Sequence, residues 1–429
     1  MTKCNSIPEL LAPAGNREKL ETAVSYGADA VYLGGESMNL RAGAGGFSFD
    51  TLPEAVQYAH SHGVKVYFCL NGYPQENQLA TITEYLIKLD KLQAEGTAPD
   101  ALIIADFGIV LLAQEHCPNI PIHISTQANT GNSSAVKFWA AQGMGRVNVA
   151  REVTAPDLKT MKKECPDTEL EVFVHGAMCM SLSGRCFLSA WLNDRSGNMG
   201  SCTHPCRFEY TPLTMTFGEK TRPGEPSWTV EEERLPNGEV EYTKFFAAHD
   251  MCLIGELPQL VKNAAAIKIE GRTKTSSYLA QVVDAYRTAL DDLQTDSFDA
   301  RKYLPELLNT ATRPYSTGFY GQNPRQAFAQ PPADDARLPM LARVLEKMED
   351  KTFRLAVKTR FSENDDLVFV AKGLRRPVLK SGDYTLTKTS GEPTDNAKSG
   401  MEILITVNDD SLLPEIQYGL FFRTAGKLS

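Results

Sequence analysis

Five of the nine cysteines in this 429-residue chain fall in one stretch: Cys179, Cys186, Cys202, Cys206 and Cys252. Cys4, Cys69, Cys117 and Cys165 are scattered. The first four follow the spacing Cys179-x6-Cys186-x15-Cys202-x3-Cys206. Four thiolates are what a structural zinc or an iron–sulfur cluster takes. Zinc sites usually pair their ligands with about two to four residues between partners, and only Cys202 and Cys206 are that close. The wide loops, which contain Gly184, Gly197 and Gly200, favour a 4Fe-4S cluster, with zinc and metal-free buried cysteines as the alternatives. Cys252 belongs to an apolar pattern at helical spacing (Met251, Leu253, Ile254, Leu257, Leu260) and reads as core, so Cys179, Cys186, Cys202 and Cys206 are the preferred ligands, with Cys252 as a rival for the fourth.

A second set of chemically capable residues follows short aliphatic runs. His123, Gln127 and Asn129 read as substrate contacts. Glu171 and His175 suit proton positioning or transfer, with His175 four residues before the first clustered cysteine. Ile267-Lys268-Ile269-Glu270 sends Lys268 and Glu270 to one side of a strand, and buried opposite charges there must pair with each other or with a ligand. Arg272 and Lys274, just beyond, suit carboxylate or phosphate. His60, His62 and His116 lie on helical segments and read as surface residues.

The elements that position these groups show in the hydropathy pattern. Eight aliphatic runs (Glu9–Ala12, Ala30–Leu33, Val64–Phe68, Ala101–Ile104, Ile122–Ser125, Val147–Ala150, Leu170–Val174, Ala266–Ile269) alternate with segments apolar at three- and four-residue spacing. Near-continuous apolar runs are strands buried on both faces of a parallel sheet. Eight such units predict a (β/α)8 TIM-like barrel, whose chemistry sits at the C-terminal strand ends. A doubly wound sheet is the runner-up, but no dinucleotide-binding glycine pattern is present. The domain plan is a barrel over 1–294 with a cysteine-rich insertion at about 177–250 after strand 7, a linker over 295–340, and a small β-barrel domain over 341–429. Within the insertion, Thr216 to Tyr242 reads as a loop or short hairpin.

Composition is ordinary for a globular protein, with 42% hydrophobic residues. The balance of 44 basic against 53 acidic residues, −9 overall, argues against coating nucleic acid through bulk charge. From Lys351 onward, however, twelve basic face ten acidic residues, leaving 32 against 43 in the rest. A local basic groove is therefore compatible with the total. No signal-like or membrane-spanning run is apparent, so a cytoplasmic location with reduced thiols is expected and no membrane partner.

Several of these blocks together carry a resemblance. Glu171-Val172-Phe173-Val174-His175-Gly176-Ala177-Met178-Cys179, then Ser183-Gly184-Arg185-Cys186, then Cys202-Thr203-His204-Pro205-Cys206-Arg207 resemble the signature of the peptidase U32 family. Pro8 to Gly15, Gly27 to Tyr32, Gln127-Ala128-Asn129 and Lys268 to Lys274 match it in order, over about residues 8 to 293. The family name implies collagenase-like proteolysis. Similar members are implicated in oxygen-independent hydroxylation, including 5-hydroxyuridine formation at the tRNA wobble position, rRNA cytidine hydroxylation and, as paired proteins, quinone synthesis. The resemblance implies a 4Fe-4S cluster on Cys179, Cys186, Cys202 and Cys206, prephenate as the hydroxyl donor, tRNA as partner, and a partner protein of the same family.

The residues themselves favour hydroxylation. No His-Glu-x-x-His helix or Gly-x-Ser-x-Gly elbow occurs. The alternatives are a peptidase with a thiolate nucleophile and His175 as its base, and a non-catalytic scaffold in RNA modification. The expected arrangement places an anticodon loop between the barrel mouth and the β-domain, one unstacked pyrimidine entering the strand-end pocket.

Overall fold

The computed structural model describes residues 7–35, 46–179, 181–208, 215–217, 228–230, 248–321, 326–333, 336–349, 351–408, 410–414, 416–417 and 419–425. Eight parallel strands appear where the aliphatic runs stand: β1 (Glu9–Pro13), β2 (Ala30–Gly34), β3 (Lys65–Leu70), β4 (Ala101–Ile104), β5 (Ile122–Ile124), β6 (Arg146–Asn148), β7 (Glu169–Gly176) and β8 (Ala266–Ile269). Because β8 pairs with both β1 and β7, the sheet closes into a barrel and no open edge remains among these eight. Six helices, α1 (Arg17–Ser25), α2 (Leu52–Ser61), α3 (Leu79–Ala94), α4 (Phe107–His116), α5 (Ser133–Ala141) and α6 (Ala155–Glu164), alternate with the first seven strands. Asn16, Asp106, Asn132 and Thr154 cap α1, α4, α5 and α6 by accepting from a backbone N–H in the first turn. Alternate strand residues separate the layers. Leu11, Tyr32, Cys69 and Ile103 face inward, while Leu10, Val31, Phe68 and Leu102 join the core against the helices.

Beyond β7 the chain departs from the sequence expectation in two places. Asp250–Cys252 is a strand antiparallel to the end of β7, pairing Met251 with Gly176 and Cys252 with His175, so Cys252 is not helical. A 3-10 turn over Ile254–Glu256 leads into an α-helix at Leu257, where Pro258 occupies the first turn that its missing N–H allows. The stretch 295–340 is not a linker. It holds the helix Ala300–Thr310, capped by Asp299 and burying Tyr303 and Leu307, and the strands Tyr315–Ser316 and Ala327–Ala329, which extend the barrel-side sheet. Pro305 stands inside the helix and Pro314 just before Tyr315, and neither prevents these elements. Of the segment 216–242, Met215–Phe217 pairs antiparallel with Trp228–Val230; the rest of it, and Cys4, lie outside the described residues.

The C-terminal region is an antiparallel half-barrel of seven strands. It rests on the helix ring. The Tyr26 hydroxyl donates to the Val370 carbonyl at 2.9 Å and accepts from the Phe421 N–H at 3.1 Å. Arg343 pairs with Glu21 on α1 at 2.9 Å, and Arg376 pairs with buried Asp284 of the helix Ser276–Gln294 at 2.9 Å. No helix among the described residues is long and apolar enough to cross a membrane.

Candidate active site

At the C-terminal rim of the barrel lies a cavity of about 320 Å³, roofed by the cysteine-bearing insertion. This is the low end of the range for small-molecule sites. Lys268 reaches it from β8, buried, with Nζ 2.8 Å from Glu171 Oε1 and 4.5 Å from the Tyr32 ring centroid. Asn148 Nδ2 donates to the same Glu171 oxygen at 2.9 Å, while its Oδ1 accepts no hydrogen bond and remains for a ligand. Glu270, two residues beyond Lys268, meets Arg151 at 3.2 Å, and the Arg151 guanidinium lies over the Phe173 ring at 4.3 Å. Among the described residues, Arg151, Arg207, Lys268 and Arg272 line the cavity against the single carboxylate of Glu270. The site is therefore cationic, inside an acidic protein.

The four cysteines come to this cavity from the insertion. Glu152, just past β6, accepts from both the N–H and the hydroxyl of Ser183, which ties the loop down between Cys179 and Cys186. Asn198 ties down the next loop, its carbonyl accepting from the Tyr73 N–H at 3.1 Å. Cys179, Cys186, Cys202 and Cys206 all line the cavity. Burial pushes the Cys206 thiol up, and the other three thiols push the same way, as charges near enough to be felt would. No three His, Cys, Asp or Glu side chains among the described residues converge on one point that could hold a single metal ion. Zinc needs its donors gathered at about 2.0–2.3 Å around one ion, whereas a 4Fe-4S cluster takes each thiolate on a different iron. Four thiols lining one cavity are a donor set that either group takes. Cys252 does not line the cavity; it is buried behind it, with Sγ 3.9 Å from the Tyr286 hydroxyl.

Gly184 sets how closely the loop approaches the barrel. Its φ is +76°, and a Cβ there would stand 2.1 Å from the Gln127 carbonyl oxygen, itself the acceptor of the Tyr73 hydroxyl. Gly184→Ala must push the Cys179–Cys186 loop outward. A displacement near 1 Å at a reacting centre costs about a hundredfold in rate. The expected result is a loss of that order in turnover, with the barrel's thermal unfolding nearly unchanged.

Gln127 lines the cavity from the turn after β5, and Glu171 lies under its floor as the partner of Lys268. Four other expected site residues stand elsewhere. His123 sits a layer below, edge-on to Tyr67 at 4.7 Å and outside the cavity. Asn129 adopts φ 56° to close the turn after Gln127 and does not reach the cavity. Lys274 lies over Tyr278 at 5.4 Å, outside it as well. His175 is turned away by a register shift. Lys268 pairs with Phe173 but Ile269 pairs with His175, so a bulge at Val174 sends His175 outward with Ile269. There it is buried among tyrosines, 3.4 Å from the Tyr286 hydroxyl and 3.3 Å from that of Tyr315.

Both imidazoles are held neutral. Burial, helped by Arg146 and Lys268, brings His123 down to about 2, and burial, helped by Lys274, brings His175 down to about 3. In the unfolded chain each takes a proton below about pH 6.5. Their contribution to stability is therefore complete above that pH and declines toward the folded values as pH falls. The slope is about 1.4 kcal/mol per pH unit for each histidine, or about 2 kcal/mol each between pH 6.5 and 5. Denaturant titrations of His123→Phe should show a shallower acid loss by one such share; an unchanged slope would contradict the assignment.

Arg151 and Asn148 were missed in the sequence reading. Asn148 ends β6 and Arg151 lies three residues beyond it, where the strand-end rule applied to the other strands would have found them. Among the described residues, none of the half-barrel lines the cavity, which lies between barrel and insertion.

The family model described as peptidase family U32 matches residues 15–330. The chain is 40% identical over 319 residues to the tRNA hydroxylation protein P of Helicobacter pylori, covering 74% of this chain and 72% of that one. It is 32% identical over 428 residues to the protein of the same name from Escherichia coli, covering 88% and 93%. To the 23S rRNA 5-hydroxycytidine synthase of Escherichia coli it is 30% identical over 293 residues, covering 68% of this chain and 40% of that one.

Proposed function

The chain belongs to peptidase family U32, and from that membership and the chemistry of the cavity we propose that it is an enzyme that hydroxylates a base of RNA. In its finer form, the substrate is the wobble uridine of a tRNA, the product 5-hydroxyuridine, and the reaction independent of O2. The observation that carries this reading is that four cysteines line the same strand-end cavity as Lys268, Glu270 and Arg272. The names of the relatives, two tRNA hydroxylation proteins and an rRNA hydroxycytidine synthase, support it.

A base inside a folded RNA is reached only after it unstacks. Asn148 Oδ1 and Gln127 offer polar atoms to its edge, and the Tyr32 and Phe173 rings back the cations Lys268 and Arg151 beside it. Lys268, Arg151 and Arg272 hold anionic groups, of the RNA or of a small carboxylate of the prephenate class acting as hydroxyl donor. Among the described residues, Glu270, paired to Arg151, is the carboxylate lining the cavity and available for proton transfer. Cys179, Cys186, Cys202 and Cys206 would hold a 4Fe-4S cluster, which supplies one-electron chemistry or a Lewis-acidic iron when bound. A peptidase reading has lost its candidate base, since His175 is buried outside the cavity.

The test is anaerobic reconstitution. Protein carrying about four irons per chain, incubated with undermodified tRNA and prephenate, should yield a uridine heavier by one oxygen atom. Iron-free protein that cleaves gelatin and leaves RNA unchanged would overturn the proposal.

A further inference from the structure

Resting on the RNA reading above, we infer that the outer face of the insertion is a stacking platform for the unpaired bases that flank the target nucleotide. Phe187 and Trp191 are its rings, and Arg185, Arg195 and Arg207 its phosphate contacts. The short helix Leu188–Asn193 is inverted relative to an ordinary surface helix, which turns its apolar side inward. Its polar residues are the anchored ones. Ser189 is buried and accepts from the Thr203 N–H at 3.0 Å, and Asn193 donates to the Thr203 hydroxyl at 2.8 Å. Phe187 and Trp191, one helical turn apart and joined by the Trp191 N–H to Phe187 carbonyl bond, are 79% and 86% exposed. Leu182 and Leu192 are more than half exposed as well. Single exposed apolar residues need no explanation, but a group of them marks an interaction surface.

Charge and position say what fits it. Residues 177–208 carry Arg185, Arg195 and Arg207 against Asp194 alone, a balance of +2 in a chain of −9. Exposed aromatic rings interleaved with guanidinium groups are the chemistry of single-stranded nucleic acid, since every base has a face to stack and every nucleotide a phosphate. The face is continuous with the cavity, because Leu182, Leu188 and Arg207 also line it. Nucleotides on either side of a base held at Lys268 would leave over this helix.

The chain has three tryptophans, Trp139, Trp191 and Trp228. Full-length, cluster-loaded protein carrying Trp139→Phe and Trp228→Phe keeps Trp191 as its only indole reporter. A synthetic RNA hairpin with an unpaired loop should quench that fluorescence, and a blunt RNA duplex of equal length should not. Trp191→Ala should weaken hairpin binding about tenfold or more, with Trp191→Phe retaining most of the affinity. Arg195→Gln should lower the slope of log K against log salt by about 0.7. Equal hairpin affinity for wild type and Trp191→Ala, with no quenching, would overturn the platform. So would a Trp191→Ala protein that binds RNA normally but loses self-association in sedimentation, which would make the face a protein contact. If the hairpin binds and quenches but no base is hydroxylated, the platform stands and the hydroxylase reading falls.

Discussion

Lys268→Met is expected to destabilise the protein by about 3–5 kcal/mol, because it strips the partner from a carboxylate that has nowhere to go. Glu171 is 1% exposed, and its remaining neighbours are Asn148 at 2.9 Å and Arg146 at 3.8 Å. The ammonium of Lys268 lies 2.8 Å away and is itself buried. Removing both charges together, as Lys268→Met with Glu171→Gln, should recover most of the loss, since a buried ion pair replaced whole is often nearly neutral. Activity should not follow stability. The double variant folds but has lost the ammonium facing the cavity, and a fall of about a hundredfold or more is expected, as for other preorganised cationic or hydrogen-bond donors at a reacting centre. Urea denaturation and turnover measured on the two variants and the wild type check both halves. A single Lys268→Met as stable and as active as wild type would mean that this pair neither closes the barrel floor nor serves the cavity.

Alanine at Cys202 or Cys206 is expected to lower hydroxylation by at least about a hundredfold, the upper end of what loss of even an outer-sphere metal contact produces. The same change at Cys252 should leave turnover within about threefold and cost only the packing of a small buried side chain, about 1 kcal/mol. The contrast follows from position. Cys202 and Cys206 line the cavity, whereas Cys252 faces Tyr286 on the other side of β7. Iron analysis of anaerobically purified proteins gives the same comparison without an activity assay. Equal iron loss from Cys252→Ala and Cys206→Ala would contradict the ligand set proposed above.

The eight barrel strands were legible because each is a run of aliphatic residues long enough to cross a sheet buried on both faces, and the structure places all eight where those runs stand. Lys268 and Glu270 were legible by the same alternation, and both reach the cavity. Alternation also explains the failures. Glu171, Phe173 and His175 share one face by count, but the bulge at Val174 breaks the count and moves His175 to the helix side. No local sequence signal marks that bulge. His123 faces inward as expected but sits one layer too low, because sequence gives the face of a strand residue and not its depth in the barrel. The helix Ala300–Thr310 was hidden by the proline inside it, Pro305, and the insertion's clamp on Glu152 by its distance of 31 positions from Ser183.

The central claim is that the cysteine-lined cavity hydroxylates a base of RNA. Mass spectrometry of nucleosides from total tRNA addresses it most directly, in cells lacking this gene and in the same cells resupplied with wild-type protein or with Cys202→Ala. A hydroxylated uridine should disappear on deletion, return with wild-type protein and stay absent with the variant. Retention of every hydroxylated uridine in the deletion strain would contradict it.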